Sequence, residues 1–179
     1  WTQSFSIKKD DAHTFSKKKN DKIKIGYFSA NFRSHTEGYL THRLYDFHDR
    51  SKFEVYGFYF GPSRNPEDKL QNKIFNSFDK FVDVSLMDNS QVKKLAKDLN
   101  IDIAIDLMGH SGGDLNRFGI FLNRVAPIQI CFMGFPCTTG SDTIDYLVAD
   151  KLIIPEKFQK FYSEKIIYLP DTYQPNEEL

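Results

Sequence analysis

The sequence predicts an α/β fold: a doubly wound, mostly parallel sheet with helices on both faces. Three observations lead there. Short runs of β-branched and aromatic residues, such as FEVYGFYF (53–60) and IDIAIDL (101–107), recur along the chain and have the composition of strands buried on both faces. Between them lie segments whose apolar residues repeat at intervals of three and four, the spacing of an amphipathic helix. Strand and helix alternate from residue 22 onward, the order expected of βαβ units and a parallel sheet.

Residues 1–21 contain the lysine-rich stretch IKKDDAHTFSKKKND (7–21), which has no sustained period and reads as a polar leader or linker with a solvated KKK run. The domain proper is read as 22–179. Ile23, Ile25, Tyr27 and Phe28 form the first strand. Leu40, Leu44 and Phe47 then predict a helix from about Glu37 to Asp49. Phe53 to Phe60 is the second strand; Asn65 as cap and Pro66 as first residue start a helix striped by Leu70, Ile74 and Phe78. Lys80 to Val84 is a short strand, and Ser90 heads a helix carrying Val92, Leu95, Ala96 and Leu99. The strand Ile101 to Leu107 leads into the turn GHSGG (109–113). Leu115, Phe118, Leu122 and Val125 mark a further helix, and Ile128 to Phe132 a strand. Tyr146 to Ala149 and Lys165 to Leu169 are two more strands around a short helix after Pro155. The whole reads as a Rossmann-like sheet.

Composition narrows the function classes. The chain has 24 basic and 24 acidic residues, so no net field draws polyanions and nucleic acid is not an expected partner. No run approaches the roughly 18 apolar residues of a membrane helix, and the N-terminus lacks the apolar centre of a signal peptide, so no membrane partner is expected. The two cysteines, Cys131 and Cys137, form neither a disulfide framework nor a C-x-x-C pattern and read as free thiols in a reducing compartment. The sequence thus reads as soluble and cytoplasmic.

In such sheets ligands bind outside the carboxyl ends of the strands, beside the first and fourth, where strand order reverses. This rule selects the loops SANFRSHTE (29–37) and MGHSGG (108–113), with MGFPCTTGSD (133–142) at the same edge. Ser34 and Glu37 have the spacing of a capping box, which would make Ser34 the N-cap and His35 the first helical residue, near N–H groups suited to an anion. By position alone His35 is either a site residue or a surface residue at a helix start. His110 shares the presumed crevice or is a plain loop residue, and Asp106 reads as a carboxylate capping nearby N–H groups. GHSGG permits close backbone approach, but the chain has neither a G-x-G-x-x-G after its first strand nor a G-x-x-x-x-G-K-[ST], which argues against an NAD enzyme or a P-loop NTPase. No histidine has partners at metal-ligand spacing, so no metal is predicted. His13, His42 and His48 are expected to be exposed.

Taken together, four stretches resemble one family: IGYFSANFRSHT (25–36), IDLMGHSGG (105–113), VAPIQICFMGFPCTTGSDTIDYLVAD (125–150) and YSEKIIYLPDTYQP (162–175). In this order they are similar to the O-linked N-acetylglucosamine transferase, or SPINDLY, family. The histidine of MGHSGG, where animal members carry a tyrosine, makes the chain resemble the bacterial type. The resemblance implies the N-terminal half of a GT-B glycosyltransferase, a two-halved architecture that binds a UDP-sugar in its cleft. The second, UDP-binding half and any helical repeats would belong to a longer protein.

The resemblance also implies site residues. The family's D-F-x-x-H-P-T segment falls on Asn31, Phe32, His35, Thr36 and Glu37, so an amide stands where the family has a proposed proton acceptor, and an amide is no general base at neutral pH. Its L-G-Y-P segment, which lines the sugar pocket, falls on Met133, Gly134, Phe135 and Pro136. A second family histidine proposed as a base lies upstream of the first strand and has no convincing match in His13. Substrate contacts are thus expected from His35, Thr36, His110, Ser111, Met133, Gly134, Phe135 and Pro136, with His35 the candidate catalytic residue. No cofactor or metal is implied beyond the UDP-sugar donor, UDP-N-acetylglucosamine or a related one. The implied reaction is inverting transfer of N-acetylglucosamine to Ser/Thr hydroxyls of a protein acceptor, with this chain inactive alone. Glucosyl transfer to Asn or to a non-protein acceptor, and a non-catalytic interaction domain of the same fold, are the alternatives.

Overall fold

The computed structural model describes residues 21–176. His13 and the predicted leader, apart from Asp21, lie outside the described residues. Seven strands form one sheet: β1 (Ile23–Ser29), β2 (Phe53–Tyr59), β3 (Lys80–Asp83), β4 (Ile103–Asp106), β5 (Ile128–Cys131), β6 (Tyr146–Ala149) and β7 (Lys165–Tyr168). Their order is β3-β2-β1-β4-β5-β6-β7, and every pairing is parallel. The chain winds outward from β1 to β3, then returns to the other side of β1 as β4, so the order reverses between β1 and β4. This is the Rossmann-like α/β fold that the strand and helix alternation predicted.

Because side chains alternate along a strand, each buried strand feeds two cores. Ile25 and Tyr27 of β1 with Val55 and Tyr59 of β2 join Phe32, Tyr45, Ile74 and Phe78 on one face. Phe28, Tyr56 and Phe58 join Val92, Ala96, Ile120 and Phe121 on the other. Phe28 and Phe58 stack with ring centroids 4.3 Å apart across the β1–β2 pair. Helices α1 (Thr36–Thr41) and α2 (Lys69–Asn76) cover the first face, and α3 (Asn89–Asp98) and α4 (Gly119–Leu122) the second. Among the described residues no helix is long and apolar enough to cross a membrane.

The helix starts differ from the sequence reading. Asp68, not Asn65, caps α2 by accepting the Gln71 N–H, and Asp88, not Ser90, caps α3 in a reciprocal box with Gln91. Each carboxylate meets amides that the helix leaves unpaired, a stronger interaction than a neutral cap makes. The helix predicted from Glu37 to Asp49 is two pieces, α1 and a 3-10 turn at Leu44–Phe47. There the Thr41 hydroxyl donates back to the Glu37 carbonyl and Arg50 donates to the Tyr45 carbonyl, so side chains take the place of the helical ladder.

The helix predicted across Leu115 to Val125 likewise shrinks to a 3-10 turn (Gly113–Leu115) and α4. Asn116 diverts the chain by donating to the carbonyls of Gly109 and Ser111 while accepting from Phe118 N. Arg124, at φ +50°, ends α4. The segment after Pro155 is a 3-10 helix, Glu156–Phe161. His42 and His48 are not exposed as expected: His42 is buried with Nδ1 2.8 Å from the Tyr39 carbonyl, and His48 Nε2 lies 2.8 Å from the Tyr27 hydroxyl. Both cysteines are free thiols, Cys131 buried and Cys137 exposed.

Candidate functional site

The register fixes where the loops leave the sheet. Phe28 of β1 pairs with Asp106 of β4, which pairs with Cys131 of β5, so the three following loops start level at one edge. They enclose a cavity of about 470 Å³ at the reversal point. Asn31, Arg33, His35, Thr36 and Glu37 line it from the β1 loop and α1. Ser111, Gly112 and Leu115 line it from the β4 loop, and Met133, Gly134 and Phe135 from the β5 loop. Tyr173 and Gln174 close it from the C-terminal segment, where Asp150 at the end of β6 accepts the Tyr173 N–H at 2.9 Å.

Six of the eight predicted contact residues are brought together here: His35, Thr36, Ser111, Met133, Gly134 and Phe135. His110 and Pro136 lie outside the lining. His110 packs on Phe118 with its Nε2 2.9 Å from the Thr139 carbonyl, and the Pro136 carbonyl accepts from Tyr162. Both therefore tie loops to one another. The loop of Thr138 and Thr139 is further held by buried Glu164, which accepts the Thr138 hydroxyl and both the Thr139 N–H and hydroxyl.

A buried polar network forms the cavity floor. Glu37, only 8% exposed, accepts from Ser29 Oγ at 2.5 Å and from Asn31 Nδ2 at 3.1 Å, and Ser29 Oγ accepts the Asn31 N–H at 2.8 Å. Nδ2 gives one N–H to Glu37, so Asn31 keeps its second N–H and Oδ1 for other partners. Burial raises the Glu37 pKa to about 7, with the charge of Asp106 adding to the rise and the Ser29 and Asn31 donors opposing it. Asp106 is itself buried. Its Oδ1 accepts the Met108 N–H, in line with the predicted capping role, while its Oδ2 meets no partner, and burial lifts its pKa to about 6.

The predicted capping box is not formed. Ser34 instead donates through N and Oγ to the two oxygens of Asp68, and Glu37 turns inward to Ser29 and Asn31. His35 is the N-cap: its backbone is extended and its Nδ1 accepts the Glu37 N–H at 3.3 Å. The pKa of His35 is lowered, by burial and by the neighbouring Arg33 guanidinium. A neutral ring accepting at Nδ1 carries its proton on Nε2. In that tautomer His35 presents a donor through its second nitrogen.

The β5 loop is shaped by backbone conformation. Met133 and Gly134 have φ of +66° and +56°, and a Cβ on Gly134 would lie 2.6 Å from the Met108 carbonyl oxygen. Only glycine permits the β4 and β5 loops to touch there. Gly112, within the β4 loop, sits at φ +99°, a conformation that favours glycine. Among the described residues no three His, Cys, Asp or Glu side chains cluster as metal ligands.

Residues 3–176 match the family described as glycosyl transferase family 41. The chain belongs to this family. The family's curated relatives include a probable UDP-N-acetylglucosamine–peptide N-acetylglucosaminyltransferase SEC of Arabidopsis thaliana, 36% identical over 87% of this chain and 16% of its own length. The Caenorhabditis elegans enzyme named UDP-N-acetylglucosamine–peptide N-acetylglucosaminyltransferase is 33% identical over 90% of this chain and 14% of its own. Among solved structures, a mutant O-GlcNAc transferase of Thermobaculum terrenum superposes with a TM-score of 0.80 at 31% identity, covering 87% of this chain and 29% of that one. The chain thus spans about a sixth of the curated relatives it matches.

Sequence reasoning assigned no role to Arg33, Tyr173 or Gln174. Arg33 is the one cation in SANFRSHTE, a usable signal. Tyr173 reaches the cavity through a long-range bond to Asp150, which no local pattern announces.

Proposed function

We propose that this chain is the N-terminal, Rossmann-like half of the GT-B catalytic region of an inverting, UDP-sugar-dependent glycosyltransferase, and that the whole protein moves N-acetylglucosamine onto Ser/Thr hydroxyls of proteins. The observation that carries the reading is the cavity at the strand-order reversal, walled by the three loops in which the chain resembles its family. The names of its relatives support the donor and the peptide acceptor.

In this reading the acceptor hydroxyl oxygen attacks the anomeric carbon as the bond to the UDP oxygen breaks; UDP departs with the bonding electron pair, and the hydroxyl proton ends on the released UDP or in water. The chain's part is to position the reactants. Asn31 Oδ1 accepts from a hydroxyl or amide of the bound reactants, and His35 Nε2–H donates to a donor oxygen. Ser29 and Glu37 hold Asn31 in that orientation.

Residues 1–179 alone are expected to lack useful transferase activity, and calorimetry is expected to find no micromolar binding of UDP. The reaction itself is tested by mass spectrometry of an acceptor panel incubated with the full-length protein and several UDP-sugars. A mass increment of one N-acetylhexosamine on Ser/Thr peptides is the expected result. Hexose on asparagine would replace the acceptor reading, and no transfer from any donor would favour a non-catalytic binding domain, for which the departures at Asn31 and Glu37 from the family's segment are the motive.

A further inference from the structure

Arg33 stands apart from Arg50, Arg64, Arg117 and Arg124. Arg50 donates to Asp79 and to the carbonyls of Tyr45 and Ser77; Arg64 donates to Asn72. Arg117 donates to the carbonyls of Val84 and Met87 and to Asn89, and Arg124 to Asp145 and the Pro127 carbonyl. The Arg33 guanidinium has no such partner among the described residues, and its Nε–H, shielded from solvent, meets no acceptor. A shielded donor left unpaired is costly and uncommon in native proteins unless a water, ion or ligand meets it.

The position of the side chain says what could meet it. Arg33 lines the cavity together with His35, Gly112 and Gly134. Its backbone N–H donates to the Asn31 carbonyl at 2.7 Å in a tight turn. Glu37, the carboxylate that shares the lining, is already engaged by Ser29 and Asn31 and forms no ion pair with it. The cavity therefore holds a cation that makes no ion pair, although the Glu37 carboxyl is near enough to feel its charge, with the His35 Nε2–H as a second donor and the Asn31 amide beside it. A guanidinium offers a rigid fork of donors suited to oxyanions, phosphate above all.

We infer that Arg33 forms an oxyanion subsite that takes a phosphate group of the ligand bound in this cavity. That this phosphate is the diphosphate of a UDP-sugar rests on the function proposed above; the subsite does not. On that reading this half contributes its own cation to the leaving group, while Asn31 faces the hydroxyl-bearing part of the same ligand.

The test is a nitrogen-15 NMR titration of residues 1–179, following the Arg33 Nε–Hε signal, identified by its loss in Arg33→Gln. Inorganic pyrophosphate and UDP are expected to shift that signal saturably, whereas methyl N-acetylglucosaminide leaves it in place. Arg33→Gln should weaken pyrophosphate binding by about tenfold or more, the size of one charge-assisted hydrogen bond. The amide spectrum of β1 and α1 should remain otherwise dispersed as in the parent. An Arg33 signal unmoved by pyrophosphate and UDP up to their solubility would overturn the inference, as would equal pyrophosphate affinity in Arg33→Gln. In the full-length protein the same substitution should raise KM for the UDP-sugar. Transfer with an unchanged KM removes the subsite and keeps the proposed function; pyrophosphate binding at Arg33 without any transfer does the reverse.

Discussion

Glu37→Gln tests the buried network at the cavity floor. An exposed glutamate ionises near 4.5, whereas Glu37 requires a pH near 7. At about 1.4 kcal/mol per pH unit, that gap corresponds to about 3 kcal/mol of stability. The folded state holds the proton more tightly than the unfolded chain. Its contribution is fully present below pH 4.5, is lost as pH rises from 4.5 to about 7, and is constant above. A glutamine at this position cannot ionise and has no such loss. At low pH the variant should be no more stable than the parent, because a glutamine amide donor would face Asn31 Nδ2 unless one amide turns over. Between pH 4.5 and 7 the variant should gain about 3 kcal/mol on the parent. Asp106, which ionises near pH 6 in the fold, contributes to both proteins and largely cancels in the difference. Urea unfolding followed by far-ultraviolet circular dichroism at several pH values measures it. A difference that stays flat across the range from about pH 4.5 to 7 would refute the burial argument.

Two further substitutions address the loops. His35→Ala removes the α1 cap and should cost about 1 kcal/mol in urea unfolding, whereas His35→Asn, which can cap, should cost little; under the proposed function both should raise the donor KM of the full-length protein, and an unchanged KM in His35→Asn would take the ring out of the site. Gly134→Ala forces a Cβ to 2.6 Å from the Met108 carbonyl in a left-handed conformation and should destabilise by about 1–3 kcal/mol; an unaltered thermal midpoint would show that the two loops part without penalty.

The strands were legible because a buried parallel strand needs contiguous β-branched and aromatic residues, whatever its neighbours. FEVYGFYF and IDIAIDL therefore announced themselves, and their observed ends at Tyr59 and Asp106 differ by one residue from those read. The loops of the site were legible for a related reason, since the edge at which they gather follows from parallel winding alone. Local caps were less so: Ser34 and Glu37 have box spacing, but Asp68, 34 residues on, competes for Ser34, and buried Ser29 and Asn31 compete for Glu37. Burial was hidden in the same way for His48, whose partner Tyr27 lies on β1, 21 residues back.

By itself, then, the sequence determined the α/β class, the alternation of elements and the three loops that meet at the strand-order reversal. These follow from periodicity and connection rules that act over a few residues or along the winding of the chain. Only the tertiary structure decided which atoms of those loops are committed and which are left over. It turned His35 into a cap with an outward donor, spent Glu37 on Asn31, moved His110 and Pro136 out of the lining, and left Arg33 unpaired. Hydrogen-bond satisfaction is a global accounting among groups far apart in sequence, and it is settled only when the chain has folded.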